Sequence, residues 1–391
     1  MTKEKNVKYW IGRIHLWLGL SSGLLVLFLG LTGCILAFQR EIESVTLSFR
    51  DIKNEKRAML APSELKQLAE KALPGKSVHS VSYYKKDRAA EVAFFSLDPE
   101  YYYTVYINPY DGKVLKVKDM DKDFFRFILL GHLYLWLPME IGQPIVGSAT
   151  LIFLVMLISG LVLWWPRNKA ARKQRFSVKW NAKWRRINYD LHNVMGFYIT
   201  WVMIFIVVTG LVWTFQWFAK SVYWISSGGK GNLVAYYEPM SDKAGKATAA
   251  AVDAPIEDRI YNIMQAEYPA AEMIEVHIPE NDTASVAGVA NPDIDTYWKM
   301  DIRYFDQYTL KDIPVKHAYG KFAEASMADK VARLNYDTHV GQILGLAGKI
   351  MVFFGSLVAA SLPVTGFYIW WGRRYKTEKR KPVGVKTVAV A

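Results

Sequence analysis

The sequence is poor in cysteine and lacks the patterns that bind nucleotides. Cys34 is the single cysteine among 391 residues, so no disulfide can form within the chain. No G-x-G-x-x-G or Walker pattern occurs, which argues against a nucleotide-binding domain. The glycine-containing stretches Gly228–Gly231 and Ser241–Ala251 are predicted to be flexible linkers instead. Each domain must therefore be held together by its own core.

Acidic residues are also missing from one long stretch. Pro166–Arg186 contains nine lysines and arginines and no aspartate or glutamate. The N-terminus is basic as well, with Lys3, Lys5, Lys8 and Arg13, and the tail after Trp371 begins GRRYKTEKRK. These three regions stand out in a chain whose net charge is +13.

Long apolar runs separate these basic regions, and 52% of all residues are hydrophobic. Four windows each exceed the roughly 18–20 apolar residues that cross a bilayer. They are Trp10–Gln39, Gln143–Pro166, His192–Phe218 and Gln342–Trp371. The first is too long for a secretory signal peptide, and no cleavage site follows it. We predict four transmembrane helices.

The basic regions predict the orientation of these helices. The positive-inside rule places both termini and Pro166–Arg186 in the cytoplasm, so the long segments 41–124 and 219–335 face outward. The basic loop could also dock an acidic electron-donor protein, or it could serve topology alone. Trp164, Trp165, Trp370 and Trp371 are then anchors at the inner interface.

The two halves of the chain resemble one another. His15, Gly19, Thr32-Gly33 and Phe38-Gln39 recur with equal spacing as His192, Gly196, Thr209-Gly210 and Phe215-Gln216. The second and fourth windows end alike, in ISGLVLWWPR and VTGFYIWWGR. We therefore predict an internal duplication, which is common in membrane proteins that pack around a central site. RINYDLH and RLNYDTH are a shorter echo, interpreted as helix starts that place His192 and His339 in a first turn.

Each outer segment combines helix and strand patterns. Pro62–Ala72 has an apolar helical face with Ser63 as a possible N-cap, and Asn108–Gly112 is a hairpin signal between two strands. The second outer segment follows the same order, with PIEDRIYNIMQAEYP as its helix. The predicted division is: 1–40, N-terminus and helix 1; 41–120, outer domain 1; 121–166, surface helix and helix 2; 167–186, basic loop; 187–218, helix 3; 219–332, outer domain 2; 333–372, helix 4; 373–391, tail.

Four of the seven histidines lie at the starts of the four apolar windows. His15 and His192 are predicted near the cytoplasmic face, and His132 and His339 near the outer face, with His132 on a surface helix at Asp121–Leu137. Ionisable residues in membrane segments are costly and usually functional. A histidine near the headgroups can also be structural, but four at matching positions favour ligands.

The type of metal centre follows from which ligands are missing. Neither pair has the cysteines or carboxylates that structural zinc or non-haem iron sites use. Two axial imidazoles beside a flat apolar slot suit haem b, and Gly19 and Gly196 would leave room for its edge. Helix packing alone would also favour such glycines. The predicted ligands are His15 with His192 and, with a weaker pattern, His132 with His339.

These residues also carry a resemblance to a known family. TVYINPYDGKVL at Thr104–Leu115 resembles the strand-turn-strand of PepSY domains. The histidine-led helices, LTG, VTG and the W-W-x-R endings resemble PepSY-associated transmembrane proteins, a group that includes inner-membrane ferrisiderophore reductases. The resemblance runs from Val7 to Arg374. It implies a membrane α-helical fold in the bacterial inner membrane: four helices, two haem b groups and two periplasmic α+β domains.

The activity implied is an oxidoreductase that passes electrons from the cytoplasm to a ferric siderophore in the periplasm and releases Fe(II). The donor would be a soluble reductase or a quinol, and no nucleic-acid partner is expected. Two alternatives stay open: a regulatory protein whose PepSY domains bind a partner, and a quinone-linked b-type cytochrome. Outer residues could line an acceptor site or be interface anchors: Arg126, Tyr134, Trp136, Tyr223, Trp224 and Arg333.

Overall fold

The computed structural model describes residues 6–55, 57–85, 87–166, 168–243 and 254–375. Predictions about Lys3, Lys5, Arg167, most of the Ser241–Ala251 linker and the tail beyond Tyr375 lie outside these residues. The described chain consists of a helical bundle and an antiparallel sheet.

Four helices are long and apolar enough to cross a membrane, which confirms the four predicted spans. They are α1 (Val7–Ala37), α5 (Met139–Trp164), α7 (Trp184–Thr214) and α11 (Gly345–Arg374). Helix α1 packs on α5 and α11, and α7 packs on the same two helices. Helices suit this role because they satisfy their backbone hydrogen bonds internally. Buried apolar side chains such as Phe153, Leu157 and Leu211 form the centre of the bundle.

The start of α7 differs from the prediction. It begins at Trp184, so His192 is its ninth residue and not part of a first turn. His339 is likewise no helix start, because it ends a separate helix, α10 (Met327–His339). Gly341 follows with a φ of 78°, and a Cβ on Gly348 would collide with the Gly341 carbonyl oxygen. This close turn separates α10 from α11, whereas Pro363 lies within the continuous α11.

His132 also stands on a short helix before a spanning one. This helix, α4 (Phe124–Tyr134), occupies the region predicted as a surface helix. Leu135 and Trp136, with φ of 58° and 56°, turn the chain towards α5. Trp136 packs on Gly131, and its indole N–H donates to the Phe127 carbonyl at 2.8 Å.

The two outer segments form one sheet. Its eight strands are antiparallel, in the order β4-β3-β2-β1-β5-β6-β7-β8. Strands β1 and β5 join the two four-stranded units, with Val81 opposite Val276. The strands are β1 (Ser80–Tyr84), β2 (Ala90–Leu97), β3 (Glu100–Ile107), β4 (Val114–Asp119), β5 (Met273–His277), β6 (Val286–Asn291), β7 (Asp301–Phe305) and β8 (Asp312–Ile313).

Helices α3 (Pro62–Ala72) and α9 (Ile256–Glu267) pack against this sheet, each over its own unit. Ser63 does not cap α3, whose N-cap is Ala61. Its hydroxyl and backbone N–H donate to Asp258 at the start of α9, at 2.6 and 2.8 Å. The two outer units are thus joined through both layers, where the sequence suggested separate domains. The remaining short helices are α2 (Gln39–Thr46), α6 (Lys169–Arg175) and α8 (Gln216–Ser226).

Candidate functional site

Each of the four membrane histidines lies against a hydroxyl on a spanning helix. The Nδ1 to Oγ distances are 2.8 Å for His15–Ser159, 2.8 Å for His132–Thr32, 2.9 Å for His192–Thr365 and 2.9 Å for His339–Thr209. In every case glycine follows the hydroxyl residue. Each spanning helix therefore offers one Ser-Gly or Thr-Gly dipeptide to one histidine.

These contacts follow the same scheme in both halves. His15 on α1 contacts α5, while His132, just before α5, contacts α1. In the second half, His192 on α7 contacts α11, and His339, just before α11, contacts α7. The order of elements and the exchange of contacts thus recur along the chain.

The hydroxyls determine which imidazole nitrogen carries the proton. The Thr32 hydroxyl donates to the carbonyls of Phe28 and Leu29, at 2.9 and 3.2 Å. The other three also have carbonyl oxygens of their own helices as acceptors. A hydroxyl has a single hydrogen, so we assign its oxygen as the acceptor of the histidine Nδ1–H. Nε2 then keeps its lone pair, and this is the arrangement by which proteins orient metal-ligating histidines.

The glycines that follow these hydroxyls provide space for the imidazole rings. A Cβ built on each glycine would lie close to a histidine Cε1: 3.6 Å for Gly33–His132, 3.5 Å for Gly160–His15, 3.4 Å for Gly210–His339 and 3.2 Å for Gly366–His192. Gly19 and Gly196, which the sequence suggested as space for a haem edge, are not next to these rings: a Cβ there would meet Met156 and Leu362. The space at the histidines therefore comes from the Ser-Gly and Thr-Gly pairs.

The two similar segments RINYDLH and RLNYDTH each make a second contact, to Thr365 and to Thr209 respectively. Asn188, one helical turn before His192, donates to the Thr365 carbonyl at 3.0 Å. Asn335, one turn before His339, donates to the Thr209 carbonyl at 3.1 Å. Residues four apart share a helix face, so each asparagine and its histidine contact the same threonine, one at the carbonyl and the other at the hydroxyl.

The buried Asp337 connects this region to the sheet. Its carboxylate accepts from the backbone N–H groups of Tyr297 and Trp298, at 2.9 to 3.2 Å. Burial raises the pKa of Asp337 although these hydrogen bonds favour its charged form. Burial also raises the pKa of the neighbouring Tyr336 to about 12. Helix α10 is thereby fixed to the outer sheet at the turn that carries His339.

The outer pair brings two imidazoles together across the halves. The ring centres of His132 and His339 lie 6.4 Å apart, and their planes are inclined by 70°. Imidazole nitrogens bind transition metals at about 2 Å, so two rings on opposite sides of one ion have centres roughly 6 Å apart. The Nδ1 atoms of both rings are turned to threonines, so His132 and His339 are the residues that would hold one metal ion between them.

The inner pair has the same hydroxyl contacts but a looser arrangement. His15 and His192 are within electrostatic range of each other, without the ring contact that joins the outer pair. Among the residues that the structure describes, no group of three or more histidines, cysteines or carboxylates is placed to hold a metal. The donor sets in the bundle are thus pairs of imidazoles.

A polar cavity of about 510 Å³ lies above the outer pair, between the bundle and the sheet. Its wall includes Leu36 and Ala37 at the end of α1, and Tyr336 and Val340 around His339. Trp213 stands 5.2 Å from the His339 ring and 6.1 Å from Tyr336, between ring centres. The cavity wall is therefore connected to the His339 ring through Tyr336 and Trp213.

The outer residues suggested as an acceptor site are mostly engaged in the fold. Arg333 is 3% exposed and donates to three backbone carbonyls, those of Met300, Ala318 and Gly320. The Tyr223 hydroxyl donates to Asp329, and Arg126 pairs with Asp121. None of these six residues lines the cavity, whose described wall is formed by other side chains.

Sequence reasoning found the histidines and missed their partners. Ser159 and Thr365 stand in the ISG and VTG runs that had been noted only as matching helix ends. A signal was present, because Thr32-Gly33 and Thr209-Gly210 match in position in the first and third windows, and Ser159-Gly160 and Thr365-Gly366 match in the second and fourth. Thr32 and Thr209 were seen as part of the repeat, without a role.

Comparison with known proteins agrees with this architecture. The model of the PepSY-associated TM region matches residues 12–373, which is nearly the whole chain. A search of curated proteins returned no match. The four apolar helices, the outer sheet and the extent of this match show that the chain belongs to the family of proteins with a PepSY-associated TM region.

Proposed function

We propose that this protein is a transmembrane di-haem b reductase of the bacterial inner membrane. In this proposal it passes electrons from the cytoplasmic side to a periplasmic acceptor, a ferric siderophore, and Fe(II) is released. Both termini are cytoplasmic and the sheet is periplasmic, in line with the basic loop, tail and N-terminus. The recurring contacts of the two halves support an origin by internal duplication.

The observation that carries the proposal is the state of the four imidazoles. Each imidazole is assigned as donating its Nδ1–H to a hydroxyl whose own hydrogen is used within its helix. Each Nε2 then keeps its lone pair and can bind a metal. Structural histidines in a bundle would have no reason to share this arrangement four times. His132 with His339 and His15 with His192 would hold one haem b each.

Haem b, when bound, supplies a centre that takes up and releases one electron. The protein's part is to orient the four imidazoles, to keep water out of the bundle and to separate the two faces of the membrane. Apolar residues such as Val26, Phe153 and Met203 fill the space between the helices. The chain has no nucleotide pattern, so a soluble reductase or a quinol must provide the electrons.

The proposal is tested by haem content and redox spectroscopy of the purified protein in detergent. We expect two haem b per chain in the wild type, and one in His339→Ala and in His15→Ala. His277→Ala, at a half-buried position on β5 of the sheet, is the matched control and should keep both. A colourless protein would contradict the proposal and favour the regulatory alternative.

A second measurement follows electron transfer. Ferric siderophores should oxidise the reduced wild-type protein in a stopped-flow experiment, with Fe(II) trapped by a chelator. In His339→Ala, the remaining haem should still be reduced from the cytoplasmic side in proteoliposomes, but the external siderophore should not. A red protein that no ferric complex oxidises would instead support the quinone-linked cytochrome.

A further inference from the structure

The cavity above the outer histidines is built from one face of the sheet. Glu91 lies opposite Tyr106, and Thr104 opposite Lys118, so these four share a face, and all four line the cavity. Val92 and Val105, which alternate with them, are buried in the core beneath α3. The sheet therefore turns a polar face towards the bundle, and the cavity is a built space between the two layers.

The cavity is also coupled to the outer histidine pair. Tyr336 lies in its wall and packs against Trp213, which contacts the His339 ring. Tyr297, also in the wall, lies 5.1 Å from Tyr336 between ring centres, and Arg40 covers it at 5.1 Å. A molecule in the cavity would thus stand within a few aromatic side chains of His339.

The charges of the wall restrict what it can bind. Five basic and four acidic side chains line the cavity. Every basic one has a carboxylate partner: Arg40–Asp295 at 3.5 Å, Arg50–Glu43 at 3.3 Å, Arg88–Glu91 at 3.4 Å, Lys118–Asp123 at 2.7 Å and Lys349–Glu41 at 2.7 Å. No basic group of the described wall is left over for an anion, so binding a multiply anionic ligand would break existing ion pairs.

The remaining polar groups of the wall favour ligands that donate hydrogen bonds. Asp51 lines the cavity and forms no ion pair with a described residue, unlike the other three carboxylates of the wall. Tyr84, Tyr102 and Tyr106 also line the wall, and burial raises their pKa, so their hydroxyls stay neutral. Carboxylate and hydroxyl oxygens accept hydrogen bonds from ammonium and amide groups.

We propose that this cavity is the binding site of the outer acceptor, and that it selects complexes that are neutral or positively charged and carry N–H or O–H donors. The inference rests on the proposed reductase function and adds the location and the charge class of the substrate. Multiply anionic complexes are disfavoured because the arginines and lysines of the wall are already paired.

The test uses gallium(III) complexes, which have the charge of the ferric complexes and are not reduced. Binding to the holoprotein is measured by titration calorimetry with a tris-hydroxamate that carries a free ammonium group, and with a tris-catecholate, which is multiply anionic. We expect the hydroxamate to bind at least about tenfold more tightly, because the catecholate would have to break ion pairs of the wall and approach its carboxylates. Equal affinity, or a preference for the catecholate, would overturn the charge selection.

Two variants locate the site. Ser44→Trp places a large side chain at an exposed position of the wall on α2 and should abolish binding, whereas the matched Ser221→Trp on α8 should not. Asp295→Asn leaves Arg40 without its carboxylate partner and should shift the preference towards the catecholate. Unchanged binding in Ser44→Trp would rule out the cavity.

The binding and reduction readouts can fail separately. If the gallium complex binds in the cavity and the ferric complex is not reduced, the site stands and the reductase proposal fails. If the ferric complex is reduced at the wild-type rate by Ser44→Trp, the reductase proposal stands and this inference fails.

Discussion

The histidines of the two halves share one scheme, but those of the second half are held by more contacts. His192 and His339 each have an asparagine one turn earlier that binds the carbonyl of the same threonine. The corresponding positions before His15 and His132 are Ile11 and Ile128, whose side chains have no amide group to donate a hydrogen bond. The glycine contacts are also shorter in the second half, at 3.2 and 3.4 Å against 3.5 and 3.6 Å.

This difference shows which contacts are essential to the scheme. The hydroxyl is present at all four histidines, so it is the part that both halves need. The asparagine occurs in one half, so it is an added restraint on α7 and α10. We therefore expect each of the two proposed haems to have one ligand that is strongly held and one that depends on its hydroxyl.

Removing a hydroxyl should have the largest effect, and it should be greater in the first half. Ser159→Ala leaves the Nδ1–H of His15 without its acceptor, and loss of such a partner typically costs about 10–100-fold in metal affinity. Thr209→Val should cost less, because the Nδ1 of His339 also lies 3.0 Å from the Ile206 carbonyl. Haem transfer to apomyoglobin measures the loss.

Ser148→Ala, an exposed serine on the same helix α5, is the control for Ser159→Ala and should retain haem like the wild type. Equal loss from Ser159→Ala and Thr209→Val would contradict the expected asymmetry.

Removing an asparagine should have a smaller effect, confined to the second half. Asn188→Leu removes this donor from the half-buried Thr365 carbonyl, a loss of about 0.5–1.5 kcal/mol in the free energy of unfolding. The variant should also lose the proposed inner haem faster, because His192 and Asn188 contact the same threonine. Thermal unfolding followed by haem absorbance measures both.

Asn193→Leu is the matched control on α7. It breaks contacts to Tyr189 and Arg175 and leaves Thr365 untouched, so haem loss should stay at the wild-type rate. Faster haem loss in this variant would mean that general disturbance of α7 is enough.

The smallest effects are expected from the four glycines, and their order provides a further test. Alanine favours a helix over glycine by about 0.5–1 kcal/mol, and this gain opposes the steric cost at the imidazole. Gly366→Ala, with a Cβ 3.2 Å from His192, should therefore lower the melting temperature, while Gly33→Ala, at 3.6 Å from His132, should leave it unchanged or raise it.

Gly210→Ala and Gly160→Ala should fall between these two variants, in that order of severity. If all four variants unfold at one temperature, the glycines are not the positions that accommodate the rings.

Much of the fold could be predicted because local patterns determine it. The four apolar windows became four helices, and Pro62–Ala72 and the Asn108–Gly112 turn lie where the sequence places them. The helix starts were less accurate. His192 lies well inside α7 because Trp184–Asp190 continues the helix beyond the apolar part, and polar residues at a membrane surface do not end a helix.

The union of the outer segments into one sheet was not predictable from local patterns. The sequence of a strand at the edge of a four-stranded unit does not show which strand it will pair with. Here β1 pairs with β5 from the other half, nearly two hundred residues later. Ser63 illustrates the same limit, because its position suggested a cap, whereas its hydroxyl binds Asp258 of the other unit.

The sequence by itself determined the four apolar helices, the matching of the two halves and the histidines, since hydrophobicity and repeated spacing are properties of the chain. Only the tertiary structure decided which hydroxyl each histidine meets, that His132 and His339 face each other at 6.4 Å, and that a polar cavity lies above them. These features join residues from different helices and from both halves. Their positions depend on how the bundle and the sheet pack, which no local stretch of sequence encodes.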